Sequence, residues 1–230
     1  DAAGLAVAGK MESQLRGINM AIRNNQDGVG LIQTAEAGIN EVRNMVLRIR
    51  ELAVQMANGI YEDSPDRANA QLEVTALQAQ VNLIAGYTRF NDVSLLNGSF
   101  SAVDIQAGNT TSETIALTIT TMTTTGLGFD SVSVSTQSNA QAAITTMDTA
   151  LTDIATEQAT LGSYTNRLNY SVANLSRSSV MTEQALGRIM DADFASESTA
   201  LSKAQILNQA ATAMLAQANQ SKNLMLQLIN

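Results

Sequence analysis

Apolar residues recur along this chain with two periods, and the longer one dominates. At Ile144, Met147, Leu151, Ile154, Gln158, Leu161, Thr165, Leu168, Val172, Leu175, Ser179, Thr182, Leu186 and Ile189 the spacing alternates three and four without a break, and ten of the fourteen are apolar. This is a heptad seam, and it predicts one long helix packed lengthwise against a partner. No proline interrupts it, and Gly162 and Gly187 are its weak points. A 50-residue helix would reach roughly 75 Å, more than a globular domain of this size requires.

The N-terminal segment repeats the pattern. Leu15, Ile18, Ile22, Asn25, Val29 and Ile32 alternate in the same way, and Ala35, Ile39, Val42, Val46, Ile49, Ala53 and Met56 continue the series. Two successive steps of three, from Val29 to Ile32 to Ala35, shift the seam around the helix. Gly28 and Gly30 sit at that shift, where a local bend costs least. Asn58-Gly59 predicts the stop. The loop to Asp66 carries Pro65, which suits the first turn of a following helix with Ser64 as its cap. That third helix runs to about Tyr87, with Leu72, Ala76, Ala79, Leu83 and Tyr87 near one face.

Between Asn91 and Thr136 the period falls to two. Ile115, Leu117 and Ile119 alternate in ETIALTIT, and Val132 and Val134 in SVSVS. These runs predict strands, punctuated by turns at Asn97-Gly98, Gly108-Asn109 and Gly126-Leu127-Gly128. The region is too small for a core of its own and is expected to cap one end of a helical bundle. From Ala195 the pattern is helical again, with Leu201, Ala204, Leu207, Ala211, Leu215, Ala218 and Met225 near one stripe. Its small residues would admit another helix at close range. Asp191 and Asp193 suit the positive N-terminal end of that helix.

The expected fold is therefore mainly α: an elongated antiparallel helical bundle or coiled coil of the N- and C-terminal long helices, with a small β-hairpin region at one end. The divisions are an N-terminal helical arm at 1–90, a small β region at 91–138, a long C-terminal helix at 139–190 and a terminal helix at 191–230. Neither seam is buried unless the two longest helices lie side by side.

Composition narrows the function. Of 230 residues, 45% are hydrophobic but only 3% aromatic, with no Trp and one Pro. Ala, Leu, Ile, Val and Met must therefore fill the core, as suits long helices at close range. Net charge is −8, and the 13 basic residues are scattered without a cluster, so nucleic acid is not an expected partner. There is no Cys and no His. That excludes disulfides, thiol catalysis, Ser-His-Asp triads and the HExxH zinc site. A chain without Cys suits a protein that stays unfolded in one compartment and folds in another. No apolar run is long enough to span a membrane as a helix, and no signal peptide is visible. The chain opens on Asp1 rather than Met, which reads as a trimmed piece.

Four separated motifs carry a family resemblance. DAAGLAVAGKMESQLRGINMAIRNNQDGVGLIQTAEAGINEV, RIRELAVQMANG from Arg48, TRFNDVSLLNG from Thr88 and DADFASESTALSKAQILNQAATAMLAQANQ from Asp191 resemble, in the same order, the signatures of bacterial flagellins. The resemblance covers both helical arms. Flagellins carry a further segment upstream of the DAAG motif that pairs with the C-terminal helix in the filament's inner tube, and here the sequence begins after it. No large variable domain separates the arms, and Asp92 stands where the family often has Gly.

The resemblance implies an extracellular structural subunit of the flagellar filament, exported unfolded through the type III apparatus and polymerising with copies of itself for motility. Implied partners are the filament cap protein, the hook–filament junction protein, an export chaperone docking on Leu201 to Ile229, and the flagellin-sensing toll-like receptor of animal hosts. Arg48, Leu52 and Glu73 match that receptor's contact pattern, while Leu47 stands where Gln is common. A hook–filament junction protein and a cell-surface ligand- or polysaccharide-binding protein on the same scaffold remain the alternatives.

No catalytic, cofactor or metal residues are expected. Asp191 and Asp193 read as an acidic helix start, and Glu62, Asp63 and Asp66 lack the spacing of a calcium loop. Arg48, Arg50, Glu51, Leu52 and Glu73 are the candidates for a subunit-contact or receptor surface, against the plainer reading of a solvated face with helical ion pairs. Ile144, Met147, Leu151, Ile154, Leu161, Leu168, Val172 and Leu175 are the expected core seam. The methionines, among them Met56, Met147, Met214 and Met225, read as core filling.

Overall fold

The computed structural model describes residues 2–191 and 194–229, with side chains at 3–191 and 196–220. Asp193 and the side chain of Met225 lie outside the described residues. The chain forms two compact units, Met11–Glu183 and Asp1–Lys10 with Gln184–Asn230.

Two helices organise the larger unit: α1 (Ala2–Met56) and α3 (Gln137–Met190). Three side-chain contacts give their direction and register. The Ser179 hydroxyl donates to Asn19 at 3.4 Å, the Gln158 amide to Asn40 at 2.8 Å, and the Arg50 guanidinium to Asp148 at 2.6 Å. Each step up α1 is matched by an equal step down α3, so the helices run antiparallel without slippage. The expected α1 seam is buried from Ala35 through Ile39, Val42, Val46, Ile49 and Ala53 to Met56. Below it Ile18, Asn25 and Ile32 are buried, and Leu15, Ile22 and Val29 are half-buried.

The helix passes Gly28 and Gly30 as continuous α-helix. Gly28 serves close approach instead: a Cβ there would meet the Leu168 side chain at 3.3 Å and Ile105 at 3.6 Å. Gly38 is tighter, with Thr88 and Leu96 side chains under 3.0 Å from a Cβ position. Gly28 and Gly38 let neighbouring elements sit directly on the α1 backbone.

Helix α2 (Ala68–Tyr87) lies along the upper part of α1, where Arg48 meets Glu73 at 2.8 Å. It buries Val74, Val81 and Ala85. The face picked out by Leu72, Ala76, Ala79, Leu83 and Tyr87 points the other way: Leu72 is 70% exposed, Leu83 46% and Tyr87 73%. Apolar residues surround this helix, so periodicity alone does not select its inner side.

Between α1 and α2 the chain makes a π-helical turn at Asp63–Arg67. Ser64 is extended and caps nothing, and α2 begins one turn later than Pro65 suggests. Beyond the C-terminal end of α2, two hairpins take its place against α1. The first pairs β1 (Arg89–Phe90) with β2 (Val93–Ser94) through a two-residue turn. Asn91 and Asp92 hold φ of 48° and 62° there, the left-handed pair that a type I′ hairpin requires and that Asn-Gly satisfies best. Asp92→Gly is expected to raise stability by up to about 1 kcal/mol, read as a higher chemical-denaturation midpoint. A lowered midpoint would show that the Asp92 side chain contributes something the turn geometry does not capture.

The second hairpin pairs β3 (Val103–Gln106) with β4 (Thr114–Leu117), Ile105 opposite Ile115. Its 107–113 loop rests on both long helices, since the Ala107 carbonyl accepts from Asn25 of α1 and Ser171 of α3, each at 3.2 Å. The predicted strand in SVSVS does not form. Val134 is buried and Val132 half-buried, so the alternation is real, but this backbone finds its partners on α2 rather than in a sheet.

In the smaller unit, α4 (Phe194–Ile229) follows α3. Every side chain described on it is exposed, including Leu201, Ala204, Leu207, Ala211 and Leu215 of the expected stripe. Ala8 of α1 is buried in this unit.

Candidate functional site

The residues of the expected seam on α3 differ in burial. Met147, Ile154, Leu161 and Leu168 are buried, whereas Ile144, Leu151, Val172 and Leu175 are half-buried. The other buried positions are Ala140, Ala143, Ala150 and Glu157, the last three each one residue before an expected seam position. A helix facing two neighbours buries a broader stripe than a two-stranded coil. Here the small residues lie at its centre, and Ile144 and Leu151 flank the core.

Glu157 is a carboxylate among these buried positions, next to the expected seam residue Gln158. Its oxygens accept from the Thr120 backbone N–H at 3.2 Å and from the Thr120 hydroxyl. This ties the segment after β4 to α3. A buried polar group placed so specifically fixes register rather than adding bulk stability.

Side-chain amides on α2 hold the segment that fails to form a strand. Gln78 Nε2 donates to the carbonyls of Phe129 and Val132 at 2.8 and 3.2 Å. Gln71 Oε1 accepts from the Val134 N–H at 2.6 Å, and Asn82 Oδ1 from the Thr124 N–H at 3.0 Å. Gln71, Gln78 and Asn82 thus replace a neighbouring strand for residues 124–134 and satisfy backbone groups that burial would otherwise strand.

Arg67 has no counterpart among the expected residues. It is 3% exposed, and its guanidinium donates to the carbonyls of Met56 (2.8 Å), Asn58 (2.9 Å) and Tyr61 (2.5 Å) and to the Asp63 carboxylate (2.8 Å). A delocalised cation at the negative end of α1 satisfies carbonyls that have no helical partner. It folds the 57–67 loop back on the helix.

The surface candidates separate by burial. Arg48 donates to Glu73 at 2.8 Å and to Glu51 at 3.2 Å, and Arg50 to Asp148 at 2.6 Å. The hydrogen bond to Glu73, then that to Glu51, raises the Arg48 pKa, and the bond to Asp148 raises that of Arg50. Both guanidiniums remain charged. Leu52 is 4% exposed and belongs to the core cluster, so it is not a surface residue. Its i, i+3 spacing from Ile49 puts it on the packed side of α1. On the hairpin loop, Glu113 is held below the usual carboxylate range, chiefly by the Thr110 N–H. Among the described residues no group of His, Cys, Asp and Glu is placed to hold a metal, and no helix is long and apolar enough to cross a membrane.

Comparison with known proteins places this arrangement. Residues 1–101 match the bacterial flagellin N-terminal helical region and residues 144–229 the bacterial flagellin C-terminal helical region. The chain is 39% identical along its whole length to flagellin FlaB1 of Treponema pallidum, covering 85% of that protein. It is 38% identical to a flagellin of Halalkalibacterium halodurans, again over the whole chain and 85% of the relative. A crystal structure of Bacillus cereus flagellin superposes with a TM-score of 0.59 at 32% identity, over 66% of this chain and 88% of that one. A flagellar hook-associated protein of Vibrio parahaemolyticus, described as putative, shares the fold at TM-score 0.65 but only 14% identity, over 82% of this chain and 98% of that one. All four motif regions, α1 and α3 from Ile144 onward fall inside the matched regions, and residues 102–143 between them carry the β3–β4 hairpin, the amide-held segment and the first turns of α3. The chain belongs to the bacterial flagellins, the family whose members are the structural subunits of the extracellular flagellar filament.

Proposed function

We propose that this chain polymerises with copies of itself into the wall of a flagellar filament and serves motility as a structural rather than a catalytic protein. The observation that carries this reading is the full-length match to flagellins on a chain whose two longest helices pair in fixed register. The buried polar groups favour a structural role as well. Arg67, Thr124 and Glu157 are engaged in holding loops against helices. A filament subunit needs such rigid internal register, because any slip between α1 and α3 would be repeated in every copy.

The same reading divides the chain into a helical arm at 1–90, a β region at 91–138, a long helix at 139–190 and a terminal helix from 191. The exposed Leu201, Leu207 and Leu215 of α4 suit helix-in-groove docking, first on an export chaperone and later inside the filament. Arg48, Glu51 and Glu73 form an exposed ion-paired group suited to a neighbouring subunit or to a host toll-like receptor, while Arg50, half-buried, pairs with Asp148 of α3. Contact with a cap protein and a junction protein follows from the same assembly route. The test is reassembly: monomers recovered from purified filaments and added to short filament seeds are expected to give long tubes by electron microscopy. Monomers that persist beside unextended seeds would overturn the reading.

A further inference from the structure

Two Asn-Gly steps occur in the chain, Asn58-Gly59 and Asn97-Gly98, and the fold treats them differently. Asparagine before glycine is chemically labile, because the next backbone nitrogen can reach its Cγ and no Cβ shields that nitrogen. At Asn97 the side chain is held in place. Its Oδ1 accepts from the Ser99 N–H at 3.0 Å and from the Ser99 hydroxyl at 2.6 Å. An N–H can only donate, so the atom facing it is the oxygen, and Nδ2 is the other arm of the amide. Asn97, Gly98 and Ser99 are all exposed, so water and base reach them. Gly98 holds a φ of 87°, and a Cβ there would meet Thr121 at 3.2 Å, so the turn keeps glycine at this step. Asn58 lacks this arrangement. Its Oδ1 accepts from the Ile60 N–H at 3.3 Å, with no hydroxyl at residue 60. Its carbonyl is fixed by Arg67 at 2.9 Å, which resists the peptide rotation that attack on Cγ requires.

We propose that Asn97 is a site of spontaneous deamidation assisted by the fold, cyclising onto the Gly98 nitrogen and ending as aspartate and isoaspartate. The Gly98 nitrogen loses its proton to solvent base and bonds to Asn97 Cγ. The Cγ–Nδ2 bond then breaks, and ammonia leaves with a proton from solvent. Water opens the resulting succinimide, at the side-chain carbonyl to give isoaspartate's isomer aspartate, or at the main-chain carbonyl to give isoaspartate. Water is the co-reactant, and nothing is oxidised or reduced. Negative charge develops on Oδ1 as the ring closes, and both Ser99 donors already sit at the distance that stabilises it. The fixed side chain also shortens the search for the reactive geometry. The product adds one negative charge to the chain's −8. Isoaspartate also lengthens the main chain by one carbon beside Leu96, which is fully buried and whose carbonyl accepts from the Met122 N–H at 2.8 Å. The change runs one way, so it marks the time since a subunit folded.

The test is to incubate the purified monomer at mildly alkaline pH and follow both steps by peptide mass spectrometry, which resolves aspartate and isoaspartate from asparagine. In the folded chain Asn97 is expected to react faster than Asn58 by roughly tenfold or more. In the denatured chain the two rates should converge, since both steps are then plain Asn-Gly. Ser99→Ala removes the hydroxyl donor at an exposed position and should keep the melting temperature while slowing Asn97 by roughly tenfold. Ser99→Thr, which keeps a hydroxyl, should restore most of the rate. Equal rates at Asn97 and Asn58 in the folded chain, a lead for Asn97 that survives denaturation undiminished, or an unchanged rate in Ser99→Ala would each overturn the proposal. None of these outcomes bears on the filament reading, which seeded growth tests separately.

Discussion

Leu168→Asp is expected to lower the stability of the larger unit by about 4 kcal/mol or more, and its melting temperature by about 10 °C or more. Leu168 is fully buried, and it sits so close over Gly28 that a Cβ there would meet it at 3.3 Å. At that point α1, α3 and the β3–β4 hairpin converge, through Gly28, Leu168 and Ile105. An aspartate there loses the packing of a buried leucine and brings a carboxylate into a site lined by carbon. Leu168→Ala should cost less, about 2 to 5 kcal/mol, because it leaves only a cavity. Thermal unfolding followed by circular dichroism measures both. A melting curve for Leu168→Asp that overlays the unmodified protein would mean that α3 does not pack on α1 at this level.

The second large effect is expected at Arg67. Arg67→Met keeps most of the buried stem but removes four hydrogen bonds, three of them to main-chain carbonyls at and beyond the end of α1. The expected loss is about 3 kcal/mol, since a hydrogen bond to a charged group contributes more than a neutral one and the orphaned carbonyls are not all able to reach water. Arg67→Lys should rescue little, because a single ammonium cannot span carbonyls that a planar guanidinium reaches together. The effect should be local as well as global. Amide hydrogen exchange across 57–67 is expected to accelerate in Arg67→Met well before exchange in the helical core does. Unchanged exchange in this loop would show that its shape is set by something other than Arg67.

The sequence made α1 legible because its seam is nearly all large or β-branched aliphatic residues, and such a run has one sensible inner face. On α3 the same reasoning recovered Met147, Ile154, Leu161 and Leu168 but preferred Ile144 and Leu151 to Ala143 and Ala150. Size is a poor guide where a helix touches two neighbours, because the residue nearest the other backbones must be small. Helix α2 inverted the expectation for a related reason. Apolar residues lie all round it, and the polar ones that decide its orientation, Gln71, Gln78 and Asn82, look like solvent-facing residues. Gln71 and Gln78 are half-buried, and with the exposed Asn82 they reach residues 124–134, which need hydrogen-bond partners that no strand supplies.

That missing strand also explains SVSVS. Period-two alternation reports which side chains are buried, and it did so correctly at Val134. It does not report which groups satisfy the backbone. Arg67 and Glu157 gave no local signal at all, since their partners lie in a turn or across 37 positions of sequence. A buried charge is recognised only once the fold shows what surrounds it. The candidate surface was legible in part. Arg48, Glu51 and Glu73 are exposed as a mixed-charge helical face suggests, whereas Arg50 is half-buried against Asp148 and Leu52 is interior by the same i, i+3 rule that buries Ile49.

All of this depends on α1 and α3 lying antiparallel in the register set by Asn19 with Ser179 and Asn40 with Gln158. Cysteine pairs in an otherwise thiol-free chain test it with a short bis-maleimide linker on the monomer. Asn40→Cys with Gln158→Cys, and Asn19→Cys with Ser179→Cys, are expected to cross-link within one chain. The exchanged pairs, 40 with 179 and 19 with 158, should not, because each is displaced by about six helical turns, roughly 30 Å. Cross-linking of the exchanged pairs in place of the matched ones would mean parallel helices, and would contradict the account at its base.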